Sequence, residues 1–205
     1  MLEALTGTGL AASAGLNAYI PLLTMGLLAR FTGLIDLPGG WQWLANGWVL
    51  AILAVLLAVE FVADKVPVVD HVNDLVQTVV RPTAGGLAFS AGSSSETVTV
   101  SDPGSFFSSN QWVPIVVGMV VAFGVHSIKS AARPLINAST AGFGAPVAST
   151  VEDTTSVVVS LVAIVLPVLV LLFLVGFVIL VPWTLHRRRE RNREREAARA
   201  AGFRV

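Results

Sequence analysis

Residues 154–185, TTSVVVSLVAIVLPVLVLLFLVGFVILVPWTL, run for 32 positions without a charged side chain. A helix needs about 20 largely apolar residues to cross the hydrocarbon core of a bilayer. Three more charge-free stretches precede it: 4–29 (26 residues), 37–59 (23) and 103–125 (23). In lipid the backbone must satisfy its own hydrogen bonds, so helix is the expected structure of each. Ten-residue alternating strands of a barrel are absent from the sequence. Composition agrees. Apolar residues make up 54% of the 205, charged residues 13%, and mean hydropathy is +0.76. About 25% charge is usual in a soluble domain, so neither a soluble single domain nor a disordered chain is expected. The absence of cysteine removes disulfides, thiolate nucleophiles and iron–sulfur clusters.

The net charge of zero hides an asymmetry. Eight of the 13 basic residues are arginines within the last 19 positions, from Arg187 to Arg204. Upstream of His186, five basic residues face ten acids. Basic flanks resist translocation, so the tail is expected in the cytoplasm. The segment 93–111 is polar, with Glu96 and Asp102 and no Lys or Arg. It is expected outside, with a short strand at Val98-Thr99-Val100. Counting back from the tail gives about six transmembrane or re-entrant helices with both termini inside. The alternative is four full spans plus two re-entrant segments, 68–92 and 134–151. The domain plan is a helical transmembrane domain over 1–185 and a basic cytoplasmic tail over 186–205. The tail's Arg/Ala-rich composition has an actinobacterial look. The first charge-free stretch lacks a basic start and is interrupted by Gly15, Asn17 and Pro21, which reads as a retained, broken helix rather than a signal peptide. Two short echoes, 17–22 (NAYIPL) with 130–135 (SAARPL) and Val59-Glu60 with Val151-Glu152, suggest a 3+3 inverted repeat with broken helices.

Ionisable residues inside spans are costly, so each is a functional candidate by default. Segment 60–74, EFVADKVPVVDHVND, holds four carboxylates and a histidine. Glu60 and Asp64 are four apart on one helix face, and Pro67 is expected to end that helix. Lys65 joins them as a counter-ion. A divalent metal is the one cofactor this group leaves room for, with Glu60, Asp64, Asp70 and His71 as ligands; otherwise none is expected. The second region follows the pattern His126, Lys129, Arg133, Asn137, a single helical stripe. Pro134 is expected to kink or break it. Lys129 and Arg133 suit an anion, with His126, Asn137, Ser139, Thr140 and Asn17 beside them. Equally, the two cations suit neutralisation by Glu60, Asp64, Glu152 or Asp153 within the bundle. Glu152 and Asp153 are expected to open the last span, with Thr150 or Asp153 as N-cap. Gly85 and Gly86, after Arg81-Pro82, suit a close helix contact.

No Walker A loop, dinucleotide fingerprint, paired-histidine zinc motif or nucleophile elbow is present. The order of the remaining pieces resembles a family of bacterial integral membrane proteins, domain of unknown function four-one-two-six. The matching pieces are 15–23 (GLNAYIPLL), 60–70 (EFVADKVPVVD) and 129–140 (KSAARPLINAST) with Glu152-Asp153, spanning about residues 9 to 160. The resemblance implies a small multi-span inner-membrane protein and no particular activity. Taken together, the expected function is transporter-like: binding or moving a small polar, anionic solute or lipid headgroup through a buried charged cavity. Glu60, Asp64, Lys65, Glu152 and Asp153 would balance charge or relay a proton. A non-catalytic structural subunit locked by the same ion pairs is the main alternative. An ion channel and a metal-dependent enzyme on a phosphorylated lipid are the others. The expected partners are membrane lipids, the small ligand and a second copy of the chain, with no nucleic acid.

Overall fold

The computed structural model describes residues 2–65, 67–93, 110, 112–140, 144–170, 172, 175, 176, 179 and 187, with side chains throughout except at 67–71 and 137. Among these residues every regular element is helical. In chain order they are α1 (Leu2–Leu16), α2 (Tyr19–Phe31), a 3-10 helix (Gly39–Ala45), α3 (Gly47–Ala63), α4 (Pro67–Gly92), α5 (Trp112–Thr140) and α6 (Gly144–Val165). Residues 1–170 form one compact unit and 171–205 another. The expected strand at Val98-Thr99-Val100, nearly all of the loop and most of the tail lie outside the described residues.

The first charge-free stretch is two helices. The 15 residues of α1 rise about 22 Å, short of the roughly 30 Å hydrocarbon core. The break falls at Asn17, whose Oδ1 accepts hydrogen bonds from Tyr19 N (3.1 Å) and Ile20 N (3.2 Å). A side chain thereby satisfies the first free N–H groups of α2. Asn46 does the same for α3, accepting from Trp48 N at 2.9 Å. The 3-10 helix and α3 meet at 62°. Pro67 opens α4, where its missing N–H costs nothing.

Two boundary expectations need correcting. Pro134 does not break its helix: α5 continues to Thr140. The segment 134–151 is therefore divided, its first part ending α5 and its second part opening α6. Glu152 and Asp153 do not open the last helix. They sit in its third turn, because α6 starts at Gly144, whose N–H donates to Thr140 Oγ1 at 2.9 Å. The 32-residue run is itself interrupted: α6 ends at Val165, and helix resumes after Pro167.

Helix α1 occupies the middle. Its small residues, Gly7 to Gly15, are buried against α4, α5 and α6. The Ser13 hydroxyl lies 2.7 Å from both Ser156 Oγ and Ser160 Oγ on α6. Helices α4 and α5 meet through glycine, as expected. A Cβ on Gly85 would stand 2.9 Å from Gly118 O, and one on Gly118 would stand 2.5 Å from Phe89 Cβ. Small residues allow this approach where lipid supplies no hydrophobic drive.

The distribution of polarity is inside out. Trp48 is 81% exposed and Val79 70%, along with Ile52, Val55, Val62, Leu75 and Val120, while Arg81 is 0% and Glu60 1% exposed. A surface of valine and leucine around buried charge suits hydrocarbon, not water. Among the described residues, α5 and α6 are long and apolar enough to cross a membrane, or three spans if the bent pair of 3-10 helix and α3 counts as one. This is a membrane protein.

Candidate functional site

The site is a buried charged layer built by α3, α4, α5 and α6 around the end of α1. Glu60 and Asp64 lie one turn apart on α3, so both face α4. On α4 the residues Asn73, Gln77 and Arg81 form a matching row at four-residue spacing. The two rows are engaged at both ends. Arg81 Nη2 lies 2.8 Å from Glu60 Oε1, and Asn73 Nδ2 donates to Asp64 Oδ1 at 2.7 Å. Helix α5 brings His126, Lys129 and Arg133, all at most 5% exposed. Lys129 Nζ lies 3.4 Å from Asp64 Oδ2 and 3.0 Å from Glu152 Oε2. Arg133 Nη2 lies 2.7 Å from Glu152 Oε2 and 3.6 Å from Asp64 Oδ2. Asp153 Oδ1 accepts from Asn17 Nδ2 at 2.9 Å.

Helix ends reinforce the cations. Lys129 Nζ donates to Leu16 O, the last residue of α1, at 3.1 Å. Arg133 Nη1 donates to Asp64 O, at the C-cap of α3, at 3.5 Å. The last carbonyls of a helix lack intrahelical partners and carry its negative partial charge. Two broken helices thus point their negative ends at the two cations of α5.

Desolvating an ion costs several kcal/mol, and only close pairing offsets it. Here three cations, Arg81, Lys129 and Arg133, interlock with three carboxylates, Glu60, Asp64 and Glu152. Glu152 is distinct within these pairs: its side chain is 18% exposed, against 1% and 2% for Glu60 and Asp64. The tautomer of His126 follows from its partners. Arg81 Nη1 lies 3.1 Å from His126 Nδ1, and guanidinium only donates. Nδ1 therefore accepts, and the proton sits on Nε2, 3.1 Å from Thr78 Oγ1. Thr78 in turn donates to Asp74 O at 2.8 Å.

Of the residues expected at the site, Glu60, Asp64, His126, Lys129, Arg133, Glu152, Asp153 and Asn17 are brought together. Three are not. Lys65 joins no salt bridge of the layer: its Nζ donates to Phe61 O at 3.2 Å and lies 3.1 Å from the centre of the Phe61 ring, and its charge reaches Asp153 only through space. Ser139 and Thr140 are exposed and return their hydroxyls to Ile136 O. The side chains of Asn137, Asp70 and His71 lie outside the described residues. Among the described residues no three His, Asp or Glu gather as metal ligands, and the two carboxylates of α3 already face Arg81 and Lys129.

The residue that sequence reasoning missed at the centre is Arg81, with Asn73, Gln77 and Thr78 beside it. A signal existed: Arg81-Pro82 repeats Arg133-Pro134, and a charge mid-segment in an apolar chain is itself a functional mark.

A family model described as Domain of unknown function (DUF4126) matches residues 4–187. The chain belongs to this family. The match extends beyond the pieces quoted from the sequence at both ends. No curated protein and no solved structure matches the chain.

Proposed function

We propose that this member of the family is a small multi-span inner-membrane protein of transporter type that binds a small anion at Lys129 and Arg133. The observation that supports it is the position of Glu152. Its Oε2 lies within 3.0 Å of both cations, and it is the most exposed acid of the ion pairs. A tethered carboxylate in a two-cation cradle indicates what that cradle accepts: a carboxylate or phosphate oxygen. A free anion enters when Glu152 swings out. Asn17 and Asp153 hold the helix break beside it. In this reading the chain makes six passes, with the basic tail cytoplasmic. The inverted repeat rests on the two sequence echoes alone, since Glu60 precedes Arg81 while Arg133 precedes Glu152.

The test is binding of a panel of small carboxylates and phosphates to purified protein, followed by uptake into proteoliposomes. Glu152→Gln removes the internal competitor, so affinity for the bound anion rises, whereas Lys129→Ala/Arg133→Ala abolishes binding. Unchanged binding in the double variant ends the proposal.

A second reading is favoured by the interlocking itself, which ties α3, α4, α5 and α6 together. A structural subunit would use these pairs only to set helix register. Glu152→Gln would then lower stability and confer no anion affinity.

A further inference from the structure

Asp153 is the acid of α6 that the ion pairs leave out. Its neighbour Glu152 meets Lys129 and Arg133, whereas Asp153 joins no salt bridge among the described residues. Its Oδ1 accepts from Asn17 at 2.9 Å, and its Oδ2 has no hydrogen-bond partner. Lys129 and Lys65 act on it through space, opposed by Asp64. The three N–H donors of Lys129 already have three acceptors, in Leu16 O, Asp64 and Glu152. Lys65 donates to Phe61 O and lies over the Phe61 ring.

Asp153 stands in the wall of a cleft of about 300 Å³ between α2, α3 and α6. The rest of the wall is Ile20 of α2 with Ala54, Leu57, Ala58 and Phe61 of α3. The four α3 residues follow i, i+3, i+4, i+7, a single stripe. Ala54 and Ala58 carry only a methyl group, which leaves the gap open. Both are exposed, as is Phe61, so the cleft opens sideways onto the lipid-facing surface. Its lining holds one polar side chain, the carboxylate.

That lining selects the occupant. A buried water needs about two to four polar partners, and an oxygen-bound metal ion about six ligands. One carboxylate in an apolar wall supplies neither set. It suits a molecule with an N–H donor and a positive charge at one end and apolar bulk behind. A charge-assisted hydrogen bond of this kind is among the strongest, more so out of water. The protonation of Asp153 does not alter the choice. A neutral amine takes a proton from the acid, an ammonium ion brings its own, and both end as one ammonium–carboxylate pair. From Ala54 to Phe61 the stripe rises about 10 Å, a track for an alkyl chain. A phospholipid head suits the cleft less, because the lining has no donor for a phosphate.

We propose that this cleft binds a single-chain alkylammonium amphiphile from the membrane, its ammonium on the Asp153 carboxylate and its chain along the α3 stripe. The site is separate from the Lys129–Arg133 cradle. Its test needs no anion, so it stands or fails apart from the transport reading.

The experiment is thermal unfolding of the full chain in nonionic detergent at neutral pH, titrated with dodecylamine as a mole fraction of the detergent. A ligand bound only by the folded state stabilises it, so a saturable rise of the midpoint is expected. Dodecyltrimethylammonium has the charge and the chain but no N–H, and butylamine lacks the chain. Each should need at least about tenfold more for half-saturation, the least that a hydrogen bond to a charged group is worth. Asp153→Asn keeps an acceptor for Asn17 and should weaken the dodecylamine response by a similar factor. Ala58→Leu fills the cleft from an exposed position and should do the same, which keeps the test open if Asp153→Asn does not fold. Lys65→Ala should retain the response. No rise with dodecylamine, or equal responses to it and dodecyltrimethylammonium, overturns the inference. So does an undiminished response in folded Asp153→Asn or Ala58→Leu. A rise seen only in Lys65→Ala means that Lys65 fills the cleft itself, and stabilisation by phosphatidylethanolamine but not by dodecylamine means a lipid headgroup; both overturn it too.

Discussion

Replacing Arg81 by Gln should be among the most damaging single changes in the layer. Arg81 is 0% exposed, and its Nη2 lies 2.8 Å from Glu60 Oε1. At an effective dielectric of about 20, two unit charges at that separation attract by roughly 6 kcal/mol. Desolvation of both ions cancels much of this, so the pair as a whole contributes little net stability. Removing one partner is different. Glu60 would be left with neither oxygen matched to a cation, and an orphaned buried charge costs about 3–5 kcal/mol. The reverse substitution is milder. In Glu60→Gln, Arg81 keeps Asp64 at 3.8 Å and His126 at 3.1 Å, so the expected cost is about 1–3 kcal/mol. The double variant removes both charges and should lie well above the sum, with a coupling of about 1–3 kcal/mol. Unfolding in mixed detergent micelles, followed by the fluorescence of the five tryptophans, reads all four proteins. Additive losses, or Glu60→Gln costing more than Arg81→Gln, would refute the assignment of the pair.

Three further expectations use the same unfolding assay. Asn17→Ala removes the acceptor for two α2 amides and the donor to Asp153, so a loss of about 1–3 kcal/mol is expected; Asn17→Asp, which keeps the cap, should recover part of it. Gly118→Val drives a side chain into Phe89 and the Gly85 backbone, with an expected cost of about 1–3 kcal/mol and poor yield of monodisperse protein by size exclusion. Lys65→Ala touches no ion pair of the layer and should stay within about 0.5 kcal/mol of wild type; a loss comparable to that of Arg81→Gln would place Lys65 back among the counter-ions.

The class of protein and most members of the charged layer were readable from residues alone. A 32-residue stretch without charge sets a transfer free energy that depends on composition, not on neighbours. The cost of burying an ion is equally local, which is why Glu60, Asp64, His126, Lys129 and Arg133 stand out unaided. The i, i+4 geometry placed Glu60 with Asp64, and the longer stripe placed His126 with Lys129 and Arg133, before any partner was known.

Partnership was decided only in three dimensions. Which carboxylate meets which cation depends on the register of helices far apart in sequence: Glu60 takes Arg81, 21 residues on, while Lys129 reaches back 65 residues to Asp64. Helix ends were decided the same way. Pro134 is tolerated within α5, and Thr140 caps α6 well before Glu152, because packing and side-chain caps outweigh the local preference to stop. Composition prices each charge singly, but only the assembled helices determine what stands opposite it.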